Sequence, residues 1–142
     1  MNILVVGGKQ MYSREQLEGI LLGKMKLEIL AFENKNNKLG YGVKLGIKLR
    51  GDYDFLEMVS QSILLHWGIS LPVKEQENKT RKSPVISTQK LKHIEALLDC
   101  IPDLPDSKGE LGMFREAFEI IINGEHKYQE GFDAILEIKE LI

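Results

Sequence analysis

Two glycines one helical turn apart constrain the fold of this chain more than any other sequence feature. Residues 17–25 read LEGILLGKM. In a helix, Gly19 and Gly23 would lie one above the other and form a stripe without side chains along one face. Each glycine costs about 1 kcal/mol of helix stability relative to alanine. We therefore expect a packing contact at the stripe that compensates this loss of helix stability. It could be the backbone of a second helix, or a neighbouring strand of this chain that covers one or both glycines.

The segments after this helix predict a hairpin with one basic face. Residues 26–33 and 41–50 read as strands, and the turn between them is rich in asparagine, which tolerates left-handed dihedral angles. The second strand has a regular two-residue period. We expect its core face to carry Tyr41, Val43, Leu45, Ile47 and Leu49, and its outer face Gly42, Lys44, Gly46, Lys48 and Arg50. The outer glycines would let a bulky surface such as a DNA groove approach, although incidental lysines on a solvated face would give the same pattern.

The rest of the chain completes an α+β pattern. Ser13, with Gln16 three residues later, forms a capping box that opens the first helix. The further predicted elements are a helix over 52–67, hairpin strands over 69–74 and 84–88, a helix over 90–98, and C-terminal helices over 108–122 and 128–141. We expect an αββαββα core with an antiparallel four-stranded sheet and C-terminal helices in residues 13–142. Residues 1–12 are an N-terminal extension in which residues 2–6 could add an edge strand.

Charge is distributed unevenly along the chain. The whole sequence has 19 basic and 21 acidic residues, a formal net charge of −2. Residues 24–50 contain seven basic and two acidic side chains, residues 74–92 contain six and two, and residues 95–142 contain four and twelve. This asymmetry indicates an anionic ligand on the sheet and a solvated, acidic layer of helices.

Cysteine content and hydropathy indicate an intracellular protein, in the cytoplasm, the nucleoid or an organelle matrix. Cys100 has no second cysteine to pair with, which fits a reducing compartment. The apolar run over residues 1–6 is too short for a signal peptide, and no stretch reaches the roughly 18 apolar residues of a membrane span. We therefore expect no membrane partner.

Two segments resemble the LAGLIDADG homing endonucleases. LEGILLGKM is similar to the motif that gives the family its name, with Leu17, Gly19, Ile20, Leu21 and Gly23 matching in kind. Residues 108–142 resemble the family's C-terminal pattern of an FxxAxExI helix, a short turn and an E-G-x-x-x-I-x-x-I-K helix. The likeness covers residues 13–142. It implies the family's fold, and it implies a homodimer, because family members with one motif per chain pack their motif helices across a two-fold axis.

The resemblance also identifies a departure from the family pattern. The eighth motif position in the family is an Asp or Glu that binds the catalytic Mg²⁺, and here it is Lys24. Leu22 stands at the sixth position, which is usually acidic as well. An ammonium group removes an oxygen ligand and repels a divalent cation. The degenerate motif therefore predicts no catalytic residue, no metal site and no cofactor, with phosphodiester cleavage lost and the helix-packing glycines kept.

These observations favour a homodimer that binds double-stranded DNA and is related to the homing endonucleases. Lys44, Lys48 and Arg50 would read the groove, and the other cations would contact phosphate. The expected DNA-binding residues are Lys24, Lys26, Lys35, Lys38, Lys44, Lys48, Arg50, Lys79, Arg81 and Lys82. The expected dimer interface comprises Leu17, Gly19, Ile20 and Gly23.

Three other functions stay open on the sequence alone. An active Mg²⁺-dependent homing endonuclease would need a different motif register or a recruited carboxylate such as Glu28. Structured RNA would be the ligand if the chain resembles the family members that act as intron-splicing maturases. A protein-interaction module would instead use the acidic helices.

Overall fold

The structure, a computed structural model, describes residues 4–77, 82–101 and 109–142. In chain order the elements are β1 (Leu4–Val6), β2 (Lys9–Met11), α1 (Arg14–Lys24), β3 (Lys26–Glu33), β4 (Tyr41–Arg50), α2 (Tyr53–Trp67), β5 (Lys74–Glu77), β6 (Lys82–Thr88), α3 (Leu91–Cys100), α4 (Glu110–Ile122) and α5 (Gln129–Leu141), with a 3-10 turn at Glu125–Lys127 before α5. None of these helices is long and apolar enough to cross a membrane.

The first helix and the hairpin after it form where local sequence signals predict them. α1 begins after Ser13, whose hydroxyl accepts from the Gln16 backbone N–H (3.2 Å) while Gln16 Oε1 accepts from the Ser13 N–H (3.0 Å). The predicted capping box is therefore confirmed. β3 and β4 have the predicted bounds. α2 ends at Gly68, whose φ of 69° lies in the left-handed region that glycine adopts without strain.

A four-stranded antiparallel sheet with the strand order β3-β4-β6-β5 confirms the predicted fold class. β4 runs antiparallel to β6, with Ile47 opposite Thr88 and Arg50 opposite Val85. β5 pairs with β6 in the same sense, starting with Lys74 opposite Val85. Because side chains alternate between the two faces of a strand, this register fixes which side chains share a face of the sheet.

The second hairpin differs from its prediction. It pairs Lys74–Glu77 with Lys82–Thr88, whereas the predicted first strand began at residue 69. Residues 69–73 form an irregular connection in which Leu71 is buried and its carbonyl accepts from Ser60 Oγ (2.7 Å). The apolar residues of this connection have the composition of a strand, but its backbone bonds to a helix side chain.

The N-terminal extension forms its own hairpin. β1 and β2 pair with each other around Gly7 and Gly8, whose φ angles of 59° and 80° suit a tight turn. The predicted edge strand is therefore, over residues 4–6, half of a separate two-stranded sheet. The Tyr12 backbone N–H donates to Ser62 Oγ (2.9 Å), which ties the end of the hairpin to α2.

The chain divides into two compact units, each with its own apolar core. The first unit comprises residues 1–26 and 47–102, and the second comprises residues 27–46 and 103–142. Core residues of the first unit include Leu17, Leu21, Ile47, Leu49, Leu56, Val59, Ile63, Ile94, Leu97 and Ile101. Core residues of the second unit include Leu27, Ile29, Leu45, Leu111, Phe114, Ala117, Ile121, Phe132, Ile135 and Ile138.

The 3-10 turn carries a half-buried histidine whose protonation is linked to stability. Burial lowers the pKa of His126 below its ordinary 6.5, the charge of Lys127 lowers this pKa further, and a hydrogen bond with the Ile120 backbone opposes both effects. The folded chain therefore binds the imidazole proton more weakly than the unfolded chain does. It follows that the free energy of unfolding should fall as the pH drops below 6.5 and level off below the folded-state pKa.

The variant His126→Gln tests this linkage. Glutamine keeps an N–H donor for the Ile120 backbone but does not titrate, so we expect the variant to lose less stability than the natural chain between about pH 7.5 and 5.5. Urea unfolding followed by circular dichroism at both pH values measures the difference. An equal loss in the two proteins would mean that other groups control the acid sensitivity.

Candidate nucleic-acid interface

β4 alternates between core side chains and cations. Its inward residues Leu45, Ile47 and Leu49 are at most 5% exposed. Its outward cations Lys44, Lys48 and Arg50 are exposed or half-buried. The guanidinium Nη1 of Arg50 donates to Ser83 Oγ on the neighbouring strand β6, at the long distance of 3.5 Å. The strand thus carries three cations on the face opposite its buried residues.

Tyr41 departs from the predicted alternation. Predicted on the core face of β4, it is 49% exposed, and its ring stacks on Phe132 of α5 with the centroids 5.8 Å apart and the planes at 24°. The prediction that Tyr41 is a core residue is therefore wrong. The strand begins at the edge of the second unit's core, where one aromatic neighbour covers only part of the ring.

The outer glycines of β4 do not form the open groove that the sequence predicted. A Cβ on Gly42 would lie 2.6 Å from Phe32 Cζ and 3.3 Å from Asn37 Nδ2, so the Phe32 ring occupies the space beside it. Gly46 is also buried. Lys44 Nζ lies 5.2 Å from the centroid of the same Phe32 ring, within cation–π range. The prediction failed because a missing side chain on one strand lets a large one on the neighbouring strand fill the gap.

β3 contributes exposed apolar side chains that the sequence analysis did not single out. Leu30 is 41% exposed and Phe32 is 36% exposed, whereas Leu27 and Ile29 are buried. The two-residue period that identifies the lysines of β4 would have identified these two residues as well. Large apolar groups beside a cation suit contact with thymine methyl groups, so they belong among the candidate DNA contacts.

In the first unit, the last residue of α1 rests on an aromatic ring. Lys24 Nζ lies 4.8 Å from the Phe55 ring centroid, and Tyr12 meets the same ring edge to face with the centroids 6.2 Å apart. A Cβ on Gly51 would lie 2.7 Å from Phe55 Cδ2, so the backbone before α2 packs against this ring. Exposed cation–π contacts contribute only about 0.5–1 kcal/mol. Lys24 is therefore oriented by a weak contact.

The groups at this end of α1 do not suit Mg²⁺. A hard divalent cation takes several oxygen ligands, whereas Lys24 offers an ammonium group. Within the residues that the structure describes, no group of three or more His, Cys, Asp or Glu side chains could hold a metal ion. Glu28, the alternative carboxylate, is half-buried on β3 and has interactions of its own.

Gly19 and Gly23 form an open stripe on α1. Both are exposed, and no described atom that packs against the helix lies within 4 Å of a Cβ built at either position. The alternative in which a neighbouring strand covers the glycines is therefore wrong for the described part of the chain. Ile20 is half-buried beside the stripe. Leu17 is 0% exposed, so it is a core residue of the first unit and its assignment to a dimer interface is corrected.

The β3–β4 turn holds two exposed lysines, Lys35 and Lys38, on a fixed backbone. The Asn34 N–H donates to the Gly40 carbonyl (2.8 Å), and the Gly40 N–H donates to the Asn37 carbonyl (3.0 Å). These bonds and the left-handed φ of 76° at Gly40 hold the turn in one conformation.

The remaining predicted contacts are only partly described. Lys26 is exposed at the start of β3. Lys79 and Arg81 lie outside the described residues, as does the side chain of Lys82, whose backbone belongs to β6.

Comparisons with known proteins identify the fold. No protein-family model matches the chain. No curated protein matches it either. Solved structures do match. The homing endonuclease I-TnaI is 16% identical with a TM-score of 0.74, over 91% of this chain and 86% of that one. The archaeal intron-encoded homing endonuclease I-Vdi141I, complexed with DNA, is 14% identical with a TM-score of 0.74, over 89% of this chain and 79% of that one.

A third match is the LAGLIDADG homing endonuclease I-LtrWI bound to target DNA. It is 18% identical with a TM-score of 0.73, and the match covers 98% of this chain but only 46% of that one. This chain therefore spans less than half the length of I-LtrWI and most of the length of I-TnaI. At these identities the likeness establishes the fold, which is that of the LAGLIDADG homing endonucleases.

Proposed function

We propose that this chain, which has the fold of the LAGLIDADG homing endonucleases, binds double-stranded DNA as a homodimer and does not cleave it. One observation carries the proposal. β4 has a row of outward cations, Lys44, Lys48 and Arg50, on a strand whose opposite residues are at most 5% exposed between positions 45 and 49. The solved structures I-Vdi141I and I-LtrWI, which share this fold, have DNA bound, and this supports the same ligand class here.

We assign the readout of base edges in the DNA groove to β4. We assign contact with the phosphate backbone to the other cations. Arginine and lysine bind guanine edges in the major groove, which is wide enough for a two-stranded ribbon. Lys35 and Lys38 extend from the fixed β3–β4 turn, which suits contact with the phosphate backbone. Lys26, Lys79, Arg81 and Lys82 are assigned to phosphate as well. Because phosphate contacts release counterions, the affinity should fall steeply with salt.

The homodimer is assigned to the open stripe on α1. Gly19 and Gly23 are exposed and uncovered, so a second copy of α1 could approach closely there, with Ile20 packing beside the glycines. Such a dimer is two-fold symmetric, and its DNA site would be close to a palindrome. The compensation expected for two glycines in a helix would then come from the second copy.

Loss of cleavage is assigned to Lys24. With an ammonium group at the end of each motif helix, the dimer centre would carry positive charge in place of metal-binding carboxylates. Lys24 would exchange its contact with the Phe55 ring for a DNA phosphate. No cofactor is needed for this function.

A gel-shift selection on a random duplex library tests the proposal. The library is run at two salt concentrations with and without Mg²⁺, and retained and cut molecules are sequenced. We expect near-palindromic duplexes to be retained, weaker retention at high salt, and no cut molecules. Lys24→Asp should confer Mg²⁺ binding on the DNA complex in calorimetry, and Lys24→Ala is its control.

Three outcomes would contradict the proposal. Mg²⁺-dependent cutting by the natural chain would make it an active endonuclease. Stronger retention of a structured intron RNA than of any duplex would make it an RNA-binding protein of the maturase kind. If Lys24→Asp and Lys24→Ala had the same metal affinity, the assignment of residue 24 to the family's metal position would be wrong.

A further inference from the structure

The second unit contains a pocket from which the proposed duplex binding uses only Lys38. Its cavity volume is about 280 Å³. Residues from the β3–β4 turn line one part and residues from the 3-10 turn before α5 line another. The lining residues include Asn36, Lys38, Tyr41, His126, Lys127 and Tyr128. This volume lies near the lower limit of typical small-molecule sites, so it suits one small ligand.

The lining is positively charged, although the part of it that precedes α5 belongs to an acidic segment. Two ammonium groups, those of Lys38 and Lys127, line the pocket, and none of the described residues that line it is Asp or Glu. Residues 95–142, by contrast, contain twelve acidic and four basic side chains. Burial lowers the pKa of His126, so near pH 7 the imidazole is neutral and the two lysines supply the positive charge. An anionic ligand is therefore favoured over a neutral or cationic one.

The pocket also offers aromatic surface. Tyr41 is 49% exposed and Tyr128 is 69% exposed, although both are large rings that usually lose more of their surface on folding. The Tyr41 ring is held in place by stacking on Phe132, with the centroids 5.8 Å apart. An oriented ring with one accessible side is the arrangement on which unpaired nucleic-acid bases stack.

Hydrogen bonds within the loop support the turn that carries Lys38. The Asn37 N–H donates to the Asn34 carbonyl (3.1 Å), and Asn37 Nδ2 donates to the Tyr41 carbonyl (2.8 Å). These bonds fix the turn between the two pocket-lining residues Lys38 and Tyr41. Little conformational entropy would therefore be lost when a ligand binds between the two turns.

We infer that this pocket binds a single nucleotide unit, with its phosphate at the ammonium groups of Lys38 and Lys127 and its base against the rings of Tyr41 and Tyr128. The inference goes beyond duplex binding, because it requires neither the dimer nor the cations of β4. The nucleotide could be free in solution or stand at the unpaired end of a strand. Both sources present the same phosphate and base, and the experiment distinguishes them.

Calorimetric and NMR titrations of the full-length chain test this site. We expect deoxyadenosine monophosphate to bind and to shift the backbone amide signals of residues 36–41 and 126–128. Deoxyadenosine and inorganic phosphate, which each provide half of the ligand, should bind at least about tenfold more weakly. Equal affinity for the nucleotide and for phosphate would overturn the role of the rings, and signal shifts confined to other residues would overturn the site.

Matched variants distinguish binding in this pocket from non-specific electrostatic attraction. Lys127→Ala should weaken binding of the nucleotide about tenfold, because it removes a charge-assisted hydrogen bond. Tyr128→Ala should weaken binding at least about fivefold, because it removes the ring on which the base stacks. Lys139→Ala removes an equal charge from an exposed position on α5 outside the pocket and should leave the affinity unchanged. A decrease with Lys139→Ala as large as that with Lys127→Ala would overturn the inference.

Duplex DNA with and without an unpaired nucleotide at one end identifies the source of the ligand. If strand ends are bound, Lys127→Ala should weaken binding of the extended duplex and leave binding of the blunt duplex unchanged. If only free nucleotides are bound, Lys127→Ala should weaken binding of the monophosphate alone. Failure of the natural chain to bind blunt duplex would contradict the proposed function without affecting the nucleotide titration, so the two claims fail separately.

Discussion

Replacing Gly19 and Gly23 together with glutamine is expected to convert a dimer into a stably folded monomer. No described atom that packs against α1 lies within 4 Å of a Cβ at either position, so the chain itself can accommodate both side chains. Glutamine is the better helix former by about 0.5 kcal/mol per position, which should raise the free energy of unfolding of the monomer by about 1 kcal/mol for the pair. A second copy of α1, however, could no longer approach the stripe closely.

The double variant should gain folding stability and lose dimerisation, and this combination makes the test specific. Analytical ultracentrifugation should give a dimer for the natural chain and a monomer for the double variant, while urea unfolding at low protein concentration should give a more stable variant. Binding to a duplex with two half-sites should weaken strongly, because the two half-sites would then be bound independently.

Gly131→Ala is the matched control for these glycine replacements. A Cβ at Gly131 would overlap the backbone carbonyl oxygen of Glu125, so here the added methyl group should destabilise the second unit by about 1–3 kcal/mol. A natural chain that is monomeric at all concentrations, or a double variant that stays dimeric, would contradict the proposed interface. A destabilised double variant would mean that the stripe packs within the chain.

Removing the three outward cations of β4 should abolish most duplex binding. We expect the triple variant Lys44→Ala, Lys48→Ala and Arg50→Ala to bind its selected duplex about a hundredfold more weakly at low salt. The plot of log affinity against log salt should also become less steep, by about 0.9 for each phosphate that the variant no longer neutralises. Fluorescence anisotropy at four or five salt concentrations gives both quantities, and circular dichroism verifies that the variant is folded.

The control for this variant removes the same charge from other exposed positions. Lys9, Lys92 and Lys139 are exposed and lie outside β4. Their triple replacement by alanine lowers the net charge equally, but it should change the affinity severalfold at most. If the two triple variants weakened binding equally, the duplex would be held by overall charge, and the cationic strand face would have no special part in binding.

The site was predictable where it depends on the period of a strand and unpredictable where it depends on the neighbouring strand. Alternation identified the buried Leu45 and Leu49 and the outward Lys44. It could not reveal that Phe32 would fill the space beside Gly42, because strand pairing sets which residues meet across a sheet. Leu30 and Phe32 were not predicted as contacts, because the charge pattern that marks the cations of β4 does not mark apolar side chains.

Predictions for the helices likewise succeeded where they depend on nearby residues and failed where they depend on packing. The capping box fixed the start of α1, since both partners lie within one turn of each other. The sequence did not distinguish the two sides of that helix correctly, and Leu17 was assigned to an interface although it is fully buried. The first strand of the second hairpin was misplaced because the buried residues 69 and 71 belong to a connection, and only packing against α2 gives that connection its shape.

Local sequence was enough to establish the order and bounds of most elements, the capping of α1 and the cationic face of β4. These features depend on residues close together in the chain, whose steric and hydrogen-bonding preferences act locally. Three features needed the folded chain: no described segment covers the glycine stripe, Lys24 rests on Phe55, and residues near 38 and near 127 line one pocket. The last two features join segments far apart in sequence, and the first depends on which segments pack against α1. All three are decided only when burial of apolar surface brings the segments together.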